Sequence, residues 1–156
     1  MDERSPKGSL LAGVLSCIVI AAGALWYLAA PPKGEDGYRE RAASSAETVR
    51  SQVQVARIWV ETLEDAESTH AAVAVGLRQA EADALSAANQ FESYEPPSGL
   101  VELRDRYSAL ATEATDALAA LRVAAQDEEW ERLGELSRPL APIAAELEGL
   151  EEDAET

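Results

Sequence analysis

Glu67-Ser68-Thr69-His70 spells E-x-x-H, a carboxylate and an imidazole three residues apart, and Glu64 stands three residues earlier. On a helix the E-x-x-H spacing puts a carboxylate and an imidazole on one face, the arrangement that helical bundles use to hold a di-metal centre. Glu64, Glu67 and His70 are therefore the candidate metal ligands. A di-metal site needs a second such motif and further carboxylates, and His70 is the only histidine of the chain. The set reads as polar residues at a helix break or surface, and no bound metal or cofactor is expected.

Other chemistry has still less support. Cys17 is the only cysteine, so no intrachain disulfide can form. Haem-attachment C-x-x-C-H, phosphate-cradling glycine loops and G-x-S-x-G are all absent from the sequence. Carboxylate pairs occur everywhere, which deprives each of them of meaning. Glu128, Glu129 and Glu131 read as helix-start and solvent residues, and Trp59 and Trp130 as bundle packing. No enzyme is indicated.

The charge narrows the partners. The chain carries a formal −16, and its first thirty residues hold two acids and two bases, so the excess belongs to the remainder. Such a domain repels nucleic acid, and no nucleic-acid partner is expected. Basic proteins, polyamines or divalent cations would be attracted; solubility alone also explains the acidity. Cysteine usage says nothing about redox compartment.

The elements that would position these residues begin with an uncharged stretch, Leu10–Ala30. Its 21 residues make a helix of ~31 Å at ~1.5 Å per residue, the thickness of a bilayer's hydrocarbon core. Trp26 and Tyr27 stand where the headgroup layer would lie, and Pro31-Pro32 end the helix. Cleavage after Ala22-Gly23-Ala24 would leave the apolar end "LWYLAAPP", and lipidation of Cys17 would leave an apolar run where a polar tether belongs. The stretch is read as an uncleaved signal-anchor behind a short tail, residues 1–9. Ser9, Gly13 and Cys17 give it a weak small-residue face for self-association. The short basic start, with Arg4 and Lys7, puts the N-terminus in the cytoplasm and the following domain outside it.

Residues 31–37 read as a linker, 38–152 as an acidic helical bundle and 153–156 as a frayed tail. Val49, Val53, Ala56, Val60 and Leu63 recur at alternating spacings of four and three, with Val55, Ile58 and Trp59 widening the stripe. "SSAE" offers a capping box from Ser44 to Glu47. Further stripes run from Val73 to Phe91, Leu100 to Leu121 and Trp130 to Leu150. "SYEPPSG" punctuates the middle, with Ser98 as a candidate cap, and Asp127 suits an N-cap. Pro139 and Pro142 should interrupt the last helix near Ser137.

The fold class is all-α, a single transmembrane helix followed by an antiparallel bundle of three to four helices. The number depends on Glu64–Ala72. A break near Ser68 gives four helices and buries the Val49–Leu63 stripe within the chain. Continuity gives one helix of ~80 Å whose stripe needs a second copy, a parallel homodimer. The function expected is that of a membrane-anchored extracytoplasmic bundle with an interaction or structural role; the alternative is a ligand- or metal-binding, sensor-like bundle. Its partners are the bilayer, through Leu10–Ala30, and another protein or a second copy.

Overall fold

The computed structural model describes residues 34–65 and 68–155, all of them within one compact unit. Four long helices carry the fold: α1 (Gly34–Glu64), α2 (His70–Glu92), α3 (Val101–Gln126) and α5 (Leu140–Glu155), with a single turn α4 (Leu133–Leu136) before the last. Short 3-10 turns at Ser98–Leu100 and Trp130–Arg132 complete the connections. No strand occurs among the described residues.

The chain breaks between Glu64 and His70. Thr69 is the reason: its backbone is extended (φ −93°, ψ 151°) and its hydroxyl accepts a bond from Ala72 N at 3.3 Å. A side chain that satisfies a helix's orphan amide starts a new helix without help from glycine or proline. Four helices follow, and Val49, Val53, Ala56 and Val60 are all buried inside the chain. Leu63 packs against their margin.

Helices adjacent in sequence pack side by side, and α5 closes the ring against α1. Polar ties record the antiparallel course. Arg50 on α1 holds Glu151 on α5 through two bonds of 2.7 and 3.0 Å, Arg122 on α3 holds Glu81 on α2, and Arg106 reaches Asp153 at 2.9 Å. The core is rich in alanine (Ala42, Ala46, Ala80, Ala84, Ala111 and Ala114 among others), which lets the helix axes approach closely. Leucines on α2, α3 and α5, among them Leu77, Leu118, Leu121, Leu147 and Leu150, fill the spaces between. Tyr38, Phe91 and Tyr107 stack obliquely at one end, with ring centroids 5.0 and 4.4 Å apart.

Several boundaries differ from the sequence reading. The supposed linker is helical from Gly34, whose φ of +76° suits glycine, and Glu35 and Asp36 then favour the positive end of the helix dipole. Ser44–Glu47 therefore lies inside α1, where the Ser44 carbonyl accepts the Thr48 hydroxyl at 2.9 Å instead of capping an end. At the other end α5 runs through Glu155, with Ala154 buried and Asp153 tied to Arg106. Ser98 makes no cap bond and opens a 3-10 turn.

Asp127 and Glu128 close α3 instead of opening a helix. Glu129 N bonds Ala124 O at 2.8 Å and Glu128 N reaches Ala125 O at 3.4 Å, the paired closure of a Schellman motif. Glu128 takes the left-handed position (φ 60°) that glycine usually fills. The prolines act as expected. The chain turns at Ser137 and restarts at Leu140, and Pro142 falls in the first turn of α5, where its missing N–H costs nothing.

Among the described residues no helix is long and apolar enough to cross a membrane. Leu10–Ala30 lies outside the described residues.

Candidate functional site

The E-x-x-H spacing does not lie on one helix. Thr69 is the cap and His70 the first residue of α2, while Glu64 is the last residue of α1. Glu67 lies outside the described residues. The bundle end does bring Glu64 and His70 to one shallow cleft of about 240 Å³, floored by Val60, Leu63 and Leu133 and shared with Glu131. His70 is stacked flat on Trp130, centroids 4.2 Å apart and planes within 5°. The Glu64 carboxylate rests against Gly134, where a Cβ would collide with it. Among the described residues no three His, Cys, Asp or Glu side chains converge as a metal shell would require.

A second polar arrangement is buried between three helices. Ser45 on α1 donates its hydroxyl to the Ala87 carbonyl on α2 at 3.0 Å, which uses its single proton. Tyr107 on α3, 2.6 Å away, must then donate to Ser45 Oγ. Burial pushes the Tyr107 hydroxyl up to about 12, against the opposing Ser45 bond and with help from the Glu92 charge. This relay ties α1, α2 and α3 together. Tyr38, fully buried nearby, has no hydrogen-bond partner for its hydroxyl among the described residues, and burial raises its pKa as well.

The feature with binding geometry lies on the outward crease between α1 and α2. An open groove of about 590 Å³ runs between Gln52, Val55 and Trp59 on α1 and Ala72, Val75 and Gly76 on α2. Small residues four apart, Ala72, Gly76 and Ala80, create the trough. The Trp59 indole lies so close over Gly76 that a methyl there would overlap its ring. Beside the trough two aliphatic side chains project into solvent: Ile58 and Val75 are each 56% exposed. Among the described residues none that lines the groove is charged, in a chain with 29 acidic and 13 basic residues. The sequence reading took Trp59 as packing and passed over Gly76. The signal lay in Val55 and Ile58, read there as widening the core stripe, together with Val75 and a run of small residues.

Chemically, the groove can take an apolar side chain or a helix face. It offers no nucleophile, no acid–base pair and no ligand set. Compared with family models, curated proteins and solved structures, the chain matches none.

Proposed function

We propose that this chain is a non-catalytic interaction protein held to the cell membrane by Leu10–Ala30, with its acidic bundle presented outside the cytoplasm. The observation that carries the interaction role is the uncharged Trp59–Gly76 groove flanked by exposed Ile58 and Val75. Apolar side chains gathered around an uncharged groove on an otherwise acidic surface mark a place where water is displaced by another molecule. The anchor is supported by the length, the uncharged character and the terminal aromatic and proline residues of residues 10–32.

Two experiments test this reading. A photo-activatable benzophenone amino acid at Val75, in the full chain in native membranes, should give a discrete protein adduct. The same probe at exposed Thr112 on α3 should give none. Absence of any adduct at Val75 refutes the interaction role. Carbonate washing should leave the chain in the membrane pellet, and protease added outside sealed spheroplasts should digest the bundle. Release by carbonate or full protection overturns the anchor or the orientation.

A further inference from the structure

We draw no further inference here: the strongest candidate, the groove between α3 and α5 where Glu113, Glu146 and Glu152 rim Ala109, Leu110 and Gly149, is a cluster of carboxylates beside small residues, and no second feature among the described residues points to a ligand there.

Discussion

Replacing Gly76 by alanine tests the central contact of the groove, because two effects of known sign oppose each other there. In a helix interior alanine is favoured over glycine by about 0.8–1.0 kcal/mol. Against this, the new methyl would overlap Cε2, Nε1 and Cδ1 of Trp59, atoms of the ring body and not of a flexible tip. Forcing a packed side chain off its site costs roughly 1–3 kcal/mol. The net for Gly76→Ala is a loss of about 1 kcal/mol. With Trp59→Ala already in place, the collision is gone and the same substitution should stabilise by about 1 kcal/mol, so the cycle yields a coupling of roughly 2 kcal/mol. Urea unfolding of residues 32–156, followed by far-UV circular dichroism at low protein concentration, measures all four corners. If Gly76→Ala stabilises equally in both backgrounds, the indole is not seated on Gly76 and the groove has a different shape.

Four further outcomes follow from the fold. Tyr107→Phe should cost about 1 kcal/mol, whereas Tyr38→Phe should be neutral or stabilising, since it deletes a buried hydroxyl with no partner among the described residues; urea midpoints compare them. The Tyr107 hydroxyl sits above its unfolded value, near 10, so its contribution is complete below pH 10 and disappears as pH rises toward about 12. That loss is about 3 kcal/mol, and alkaline unfolding of Tyr107→Phe should be the less steep. Glu128→Gly should raise stability by about 1 kcal/mol by relieving the left-handed backbone, read as a higher melting temperature. Zinc titrated into the chain should give no tight stoichiometric complex in calorimetry; one abolished by His70→Ala would establish a metal site at the bundle end and favour the ligand-binding alternative.

The helices themselves were legible because each keeps one apolar stripe at a 3.6-residue period. The burial of Val49, Val53, Ala56 and Val60 follows that stripe residue by residue. Their ends were less legible, for reasons of competition between equivalent signals. "SSAE" has the composition of a capping box, yet the helix had already begun at Gly34, so the same side chains serve inside it. Asp127 fits a helix start by type, but the αL backbone at Glu128 makes the segment a helix end. The break before His70 was undecidable from breakers alone, since it depends on one threonine hydroxyl meeting one amide. The groove was hidden for a different reason. Trp59 and Gly76 are 17 positions apart, and only the antiparallel register of α1 and α2 brings ring and glycine together.

The closure of the ring by α5 has a consequence for how the protein is made. α1 packs along both α2 and α5, and the Arg50–Glu151 pair joins the first of these helices to the last. During synthesis the flank of α1 that faces Leu140, Ile143, Leu147 and Leu150 has nothing to cover it until those residues emerge. At about 5–20 residues per second, the roughly 90 residues after α1 take several seconds to appear. For that interval the helix is an apolar surface open to misdirected contact. A stop codon at Leu140 would make the interval permanent, so loss of α5 should impair the whole bundle and send the chain toward aggregation or proteolysis rather than trimming one end of it.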